Sequence, residues 1–304
     1  MSAHRLTATA TVAFAAALMA SAANAQEVLK PKFQEGAKYK VRETQALDQT
    51  LNIAGMNSVT KASNSTSAHT EHGQRDEKGL LSITTTVDSI VADLDIGGTK
   101  IHFDSADPNA QVEGDIAQVV VQALKASVGL RLTRTIDDGG KVQSVEGVKE
   151  GTGLNPDDLK IAFQQDIDQF PADPVKPGDS WERTEEQALG QGQVFTFQRR
   201  YTYEGTVDKL PTVKNSPKLD KITSTDASVV YSVKPGAGLP LDVKKSDLKV
   251  QSSERTLLFD RELGRVVKAK SSVHVTGDLT LSLMGMELAG SLDLKLAQMS
   301  EEVE

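Results

Sequence analysis

His69-Thr70-Glu71-His72 places two imidazoles and a carboxylate within four residues, the donor types of a zinc site. The spacing argues against one. On a strand His69 and His72 point to opposite faces, and no third ligand stands nearby, so the segment reads as polar and exposed with a structural role. Asp137-Asp138 and Asp157-Asp158 have the chemistry of an acid/base pair or a calcium site. The first pair sits in a turn and the second in the first turn of a helix, where Asp is favoured for local backbone reasons, and no Asp-x-Asp-x-Asp-Gly loop is present. There is no Gly-x-Ser-x-Gly nucleophile elbow and no cysteine. Gly151-Thr152-Gly153 and Gly190-Gln191-Gly192 lack the lysine and helix of a phosphate loop. No catalytic constellation can be assembled, no metal or cofactor is implied, and a hydrolase ranks last among the readings.

The elements that would position any site are mostly strands. Tyr39 to Leu51 alternates, and Gly55-Met56-Asn57 reads as a turn. The Ser/Thr-rich stretch 58–72 suits an exposed strand or a loop, and Gly73 to Gly79 is a polar turn. Leu80 to Asp95 is rich in β-branched residues, and Lys100 to Asp104 starts another strand. A first helix is expected from an Asp107 cap and Pro108, with Val112, Ile116, Val119, Val120, Ala123 and Leu124 forming its apolar stripe. Ile136-Asp137-Asp138-Gly139-Gly140 is a hairpin turn. A second helix starts at the Asn155 cap and Pro156, carries Leu159, Ala162, Phe163 and Ile167 on one face, and ends at Phe170-Pro171. Beyond the Pro-rich junction the chain is almost all strand-like, apart from a Pro-containing connection at Val207 to Leu219 and a loop at Lys234 to Pro240. Val194 to Gly205 and Ile222 to Val233 alternate, Asp260 to Gly264 turns a second hairpin, and Leu279 to Leu296 alternates leucines about Met284-Gly285.

Two features recur in order. Each half opens with Gly-x-x-aromatic before a charged strand, at Gly36 to Tyr39 and at Gly178 to Trp181. Each also has an acidic, Gly-bearing hairpin, Leu132 to Val145 and Leu257 to Val267. This predicts a β-rich α+β fold in which two divergent repeats, 26–169 with two helices and 170–304, build one or two long curved antiparallel sheets under two covering helices.

The bulk numbers restrict function. Arg5, the apolar run Val12 to Met19 and the site Ala23-Asn24-Ala25 read as a signal peptide over 1–25 with cleavage near Ala25, which predicts a periplasmic or extracellular protein. No later stretch is long and apolar enough to span a bilayer as a helix. The absence of cysteine excludes disulfides, so an ordinary core must supply the stability. A formal net charge of -8 without a basic block argues against nucleic acid as a partner, and 4 % aromatics leaves little for stacking on sugars or bases.

Three motifs carry a resemblance. Gly36 to Val41, Ile136 to Val142, and the Phe-Pro-x-x-Pro-Val-x-x-Gly-Asp-x-Trp run from Phe170 to Trp181 resemble an uncharacterised family of exported bacterial proteins. The resemblance covers most of the mature chain and implies location and architecture but no reaction. At the level of fold the chain also resembles periplasmic lipoprotein carriers, in which a curved sheet capped by helices encloses an apolar cavity. The leading reading is therefore a non-enzymatic envelope protein that binds a lipid or other apolar or amphipathic ligand between sheet and helices. Its candidate lining residues are Val119, Val120, Leu124, Leu281, Leu283 and Leu294, all equally suited to filled core, with Trp181 as a ligand-facing aromatic. The alternative is a structural component that contacts envelope proteins through sheet edges or an acidic face.

Overall fold

The computed structural model describes residues 26–107, 114–149, 152, 154–190, 192–208, 218–234, 241–283 and 285–303. The signal-peptide expectation falls on residues outside these, as do the Pro108 and Val112 assignments. The first half supplies β1 (Lys38–Ile53), β2 (Met56–Arg75), β3 (Leu81–Ile96), β4 (Thr99–Asp104), α1 (Asp115–Ser127), β5 (Arg131–Ile136), β6 (Val142–Glu146) and α2 (Pro156–Asp168). The second supplies β7 (Ser180–Gly190), β8 (Gln193–Asp208), β9 (Lys218–Val233), β10 (Leu241–Asp260), β11 (Arg265–Leu283) and β12 (Met286–Val303).

All twelve strands belong to one antiparallel sheet, in the order β6-β5-β3-β2-β1-β12-β11-β10-β9-β8-β7, with β4 also on β3. Each half is thus a contiguous run, and the halves join where β1 pairs with β12 from Lys40↔Val303 to Ile53↔Gly290. The Ser/Thr-rich segment is strand β2, because β-branched threonines on a pleated surface gain ladder bonds on both sides. Strands of 16 to 20 residues cannot stay flat. Bulges on β10, at Val243/Lys245 and Val250/Ser252, and one on β11 at Val267, opposite Leu258/Phe259, add curvature.

The free edges of this sheet are β6 and β7, and α2 lies between them. Asn155 caps the helix, its side chain accepting from Asp157 N and Asp158 N. The Gln164 Oε1 accepts from Val142 N on β6 at 2.8 Å, while Gln165 accepts from Glu186 N and donates to Glu186 O on β7. Side-chain amides thus continue the ladder where no strand follows, which covers both edges. Trp181 Nε1 donates to Gln169 O, and Arg183 donates to Asp168 O and Phe170 O, so β7 also satisfies the carbonyls at the end of the helix. No residue of α2 is fully buried; Phe163 and Ile167 pack on a cluster of Leu81, Ile83, Ile136 and Val142.

Helix α1 corrects the sequence expectation. It begins at Asp115 with Gly114 as an N-cap that makes no side-chain bond, and it buries Ala117 and Val121 against Ile90, Ala92, Ile101 and Phe103. Ile116 and Val119 are exposed instead. Asp115, Gln118, Gln122 and Lys125 form only a narrow polar stripe, so the apolar arc is wide, and the β3–β4 surface selected which part of it is buried.

Candidate ligand chamber

Residues directly opposite each other in antiparallel strands share a face. Following the register across the sheet gives one transverse row: Asn64, Gln45, Gln298, Ser271, Arg255, Ser224, Tyr201, Trp181. Every member is polar or carries a polar tip. The next row on one side runs Thr66, Glu43, Ser300, Ala269, Leu257. The next row on the other side runs Ala62, Leu47, Leu296, Val273. Beyond it the face becomes an apolar cluster of Phe195, Phe197, Val229, Leu248, Val275, Leu279, Leu281, Leu292 and Leu294. The inner face is therefore polar across its middle and aliphatic toward the end of the β11–β12 hairpin.

The sheet and α2 enclose a chamber of about 860 Å³. Its walls include Val41, Glu43, Gln45, Asn64 and Thr66 from the first half and Arg199, Arg255, Ser271, Val273, Leu296 and Gln298 from the second. Ala162, Gln165 and Asp166 of α2 form the roof. Residues 26–36 close one end as a strap. Glu27 bridges Val175, Leu29 is buried beside Tyr203 and Phe259, Lys32 N donates to Gly264 O, Phe33 packs with Leu81 and Ile136, and the Gln34 carbonyl accepts from His72. Arg261 holds the base of the strap, bound to Asp220 and to Glu27.

The strongest electrostatic feature of the wall is Arg199. Its guanidinium meets Asp226 at 2.6 Å and Glu185 at 2.5 Å; Ser253 also donates to Asp226, and Tyr201 donates to Glu185. Burial disfavours the charge on Arg199, but the Asp226 hydrogen bond and the two carboxylates outweigh it and hold its pKa above the usual value. Burial, opposed by Arg255 and helped by Glu185, pushes the Tyr201 phenol well above its usual range. His72, by contrast, is 9 % exposed, and burial lowers its pKa. Its Nδ1 lies 2.7 Å from the Gln34 carbonyl, which can only accept, so Nδ1 carries the proton and the neutral ring offers Nε2 as an acceptor. The sequence expectation of an exposed His72 is thus overturned, while His69 does face the other way and pairs with Asp88 at 2.6 Å.

Glu43 and Asp166 face the same space without partners. Both are solvent-accessible within the chamber, and neither carboxylate has a hydrogen bond or ion pair among the described residues. Desolvation raises both pKa values, and the Asp166 charge raises that of Glu43 further. An acid whose folded pKa is raised penalises the folded state above that pKa and is relieved as pH falls through it. The pair Glu43→Gln/Asp166→Asn should therefore melt at a higher temperature than the parent at pH 8, with the gap closing toward pH 4. Calorimetry across that range checks it; an unchanged or lower Tm at pH 8 would refute the reading.

The acidic pairs serve local structure. Asp137 accepts from Lys141 N and Gln143, and Asp138 meets Arg75 at 2.8 Å. Asp158 meets Lys234 at 2.8 Å. Among the described residues no group of three metal-ligating side chains converges. The seven candidate lining residues lie elsewhere than the chamber wall. Val119 is 66 % exposed, and Val120 and Leu124 pack against the β3–β4 cluster. Leu281 and Leu294 are on the inner face, but where apolar side chains from six strands meet and fill the space. Leu283 is half-buried at the hairpin end, opposite Met286. Trp181 stacks on Tyr201 at 5.6 Å and is held by Gln169 O. The residues that do line the chamber left a trace in sequence. On β12 the leucine alternation through Leu292, Leu294 and Leu296 continues in phase as Gln298 and Ser300, so an apolar face turns polar without changing side.

The fold is a single long, curved, open antiparallel sheet with two helices. No protein-family model matches the chain, and no curated protein matches it. Solved structures that align with it include one of lipovitellin described by its lipid–protein interactions, at 9 % identity and a TM-score of 0.44. That alignment covers 90 % of this chain and spans 26 % of lipovitellin. A putative outer membrane lipoprotein-sorting protein domain from Vibrio parahaemolyticus aligns at 7 % identity and a TM-score of 0.14, covering 83 % of each chain. A DUF1329 family protein from Desulfovibrio piger aligns at 8 % identity and 0.12, covering 84 % of each. The chain's own geometry carries the functional reading.

Proposed function

We propose that this is a non-enzymatic, exported protein that binds an amphipathic ligand in the chamber between the curved sheet and α2. The observation that supports this most is the gradient of the inner face. A polar row from Asn64 to Arg255 lies directly beside Leu47, Leu296 and Val273, so a molecule lying on the sheet meets polar groups at one end and aliphatic side chains at the other. A chamber of about 860 Å³ is of the size that small ligands occupy. A protein built only for surface contact would gain stability by filling it. The chamber serines offer no activated nucleophile: Ser253 is bonded to an Asp226 already clamped by Arg199, and no imidazole contacts Ser271, Ser272 or Ser300 among the described residues. Export rests on Arg5, the apolar run Val12 to Met19 and Ala23-Asn24-Ala25. Among the described residues no helix is long and apolar enough to cross a membrane.

Native mass spectrometry of protein purified from its envelope fraction, followed by denaturing extraction, is expected to release an amphiphile of defined mass. Ala162 sits in the roof with its side chain toward the chamber, so Ala162→Trp should occupy that space. Binding of the extracted amphiphile should weaken at least tenfold with Tm little changed. An empty parent protein that takes up no amphiphile, or an Ala162→Trp variant that binds as tightly, would remove this reading.

A further inference from the structure

We propose that the end of the sheet formed by the β1–β2, β3–β4 and β11–β12 turns seats in the surface of a lipid bilayer. The proposal goes beyond the chamber reading and stands without it. Three observations lead there.

The first is how charge divides between the two ends of the strands. Successive turns of an antiparallel sheet alternate between its ends. One end carries the β2–β3, β5–β6 and β10–β11 turns, and these hold Glu77-Lys78, Asp137-Asp138 and Arg261-Glu262. The strap lies across this end, tied to Gly73 and Gly264. The opposite end is bare of charge. Residues 53–60 at the β1–β2 turn hold no charged side chain, and neither do 96–99 at the β3–β4 turn nor 281–286 at the β11–β12 turn, in a chain that is 25 % charged. These turns are neighbours: Gly97 N donates to Val59 O and Ala54 N to Ala289 O, both at 2.9 Å. The charges that flank them, Lys61, Asp95, Lys100 and Glu287, balance in sign.

The second observation is what stands there in place of charge. Met56 and Met286 are 73 % and 61 % exposed, and Met56 is the most exposed large apolar side chain among the described residues. Each sits at the tip of a long hairpin, Met56 opposite Ile53 and Met286 opposite Leu283. Val59 is exposed as well, and three positions along a strand from Met56 it points to the other face of the sheet. Apolar side chains therefore project on both sides of this rim. A protein partner would need a separate groove for each side. A fluid lipid surface surrounds a tip on all sides and needs no matching shape, and unbranched thioethers adapt readily to it.

The third observation is continuity with the interior. On β12 the inner face runs from buried Leu294 and Leu292 through half-buried Leu288 to exposed Met286. On the β1–β2 hairpin it runs from half-buried Leu51 and Ile53 to exposed Met56. The aliphatic end of the inner face thus reaches solvent with no charged collar. A contiguous apolar rim of this kind marks an interaction surface. Because it is uncharged, attachment should require no anionic lipid and should survive salt.

Flotation with phosphatidylcholine vesicles tests this. The protein used starts at Gln26, because the apolar run Val12 to Met19 would bind vesicles by itself. It is expected to float with the vesicles at low and high salt alike, with no gain from added phosphatidylglycerol. Met56→Asp/Met286→Asp should lower the partition coefficient about tenfold or more with Tm unchanged, since both side chains are exposed. Met56→Leu/Met286→Leu should float as the parent does. So should Val28→Asp, which alters a 59 % exposed apolar residue in the strap at the charged end. A parent that stays at the bottom of the gradient, an Asp variant that floats equally well, or binding abolished by salt would overturn the proposal. A dimer in light scattering that the Asp variant dissolves, without vesicle binding by the parent, would also overturn it and give this end to a second copy. None of these readouts uses a chamber ligand, so failure here leaves the chamber reading standing.

Discussion

Replacing Arg199 by methionine is expected to destabilise the fold by about 3–5 kcal/mol, the cost of removing one partner from a buried ion pair. The reason is what stays behind. Asp226 is 3 % exposed in its side chain and Glu185 14 %, and both depend on the same guanidinium. Without it the Ser253 hydroxyl alone stays on Asp226, while Tyr201 and the more distant Arg255 stay on Glu185. Two carboxylates would then share a poorly solvated wall, and water entering from the chamber would offset only part of the loss. Thermal melting should show a fall in Tm on the order of 10 °C for a chain of this size. The triple variant Arg199→Met/Glu185→Gln/Asp226→Asn should recover most of that fall, because replacing all charges of a buried pair by neutral groups is far cheaper than stranding one. A single variant that melts with the parent would show that solvent in the chamber already screens the cluster. A triple variant no better than the single one would show that packing, not charge, carries the effect.

Gly264→Ala should cost about 2–4 kcal/mol, through backbone strain and overpacking together. Gly264 has φ +68, a left-handed conformation that a Cβ disfavours, and it ends the β10–β11 turn against the strap. A Cβ there would lie 2.2 Å from Lys32 Cβ and 2.5 Å from Lys32 N. Neither is the free end of a side chain, so the strap itself must move, and the Lys32 N to Gly264 O bond of 2.9 Å would go with it. The strap closes one end of the chamber, so the defect should be local as well as global. Hydrogen exchange at Lys32 to Gln34 should speed up more than exchange in β11 or β12. An unchanged Tm, or faster exchange spread evenly over the sheet, would show that the strap does not depend on this close approach.

How much of this was written in the sequence differs between elements. The strands were legible because period-2 alternation is a local property: Leu279 to Leu296 predicted the last hairpin, and Ile136 to Val142 the first, each from fewer than twenty residues. Helix α2 was legible for the same reason, since Asn155, Pro156 and two acidic residues announce an N-terminus without reference to anything distant. Helix α1 was legible as a helix but not as to which part of its apolar arc it buries, because Asp115, Gln118, Gln122 and Lys125 mark only a narrow polar stripe beside the wide arc of Ile116, Ala117, Val119, Val120 and Val121. The division into repeats 26–169 and 170–304 is a proposal from the recurring Gly-x-x-aromatic and hairpin motifs.

The chamber was not legible. Its candidate lining was sought among aliphatic residues, on the assumption that a cavity under a curved sheet would be apolar. The wall instead gathers Asn64, Gln45, Gln298, Ser271 and Arg255, each on a different strand and most of them polar residues that local pattern assigns to solvent. Only the phase of each strand places them inward, and that phase is set by register with neighbours up to 253 positions away, as in Gln45↔Gln298.

By itself, then, the sequence determined the local features of this protein: where most strands and helices lie, which residues cap and turn them, and that no disulfide can form within it. The tertiary structure alone decided that the two halves form one sheet, that α2 spans its free edges through Gln164 and Gln165, and that Glu43 and Asp166 line one chamber. The physical reason is range. Backbone propensity and capping act within one or two turns of chain, whereas closing a curved sheet and leaving two carboxylates unpaired inside it depend on contacts between segments that the sequence holds far apart.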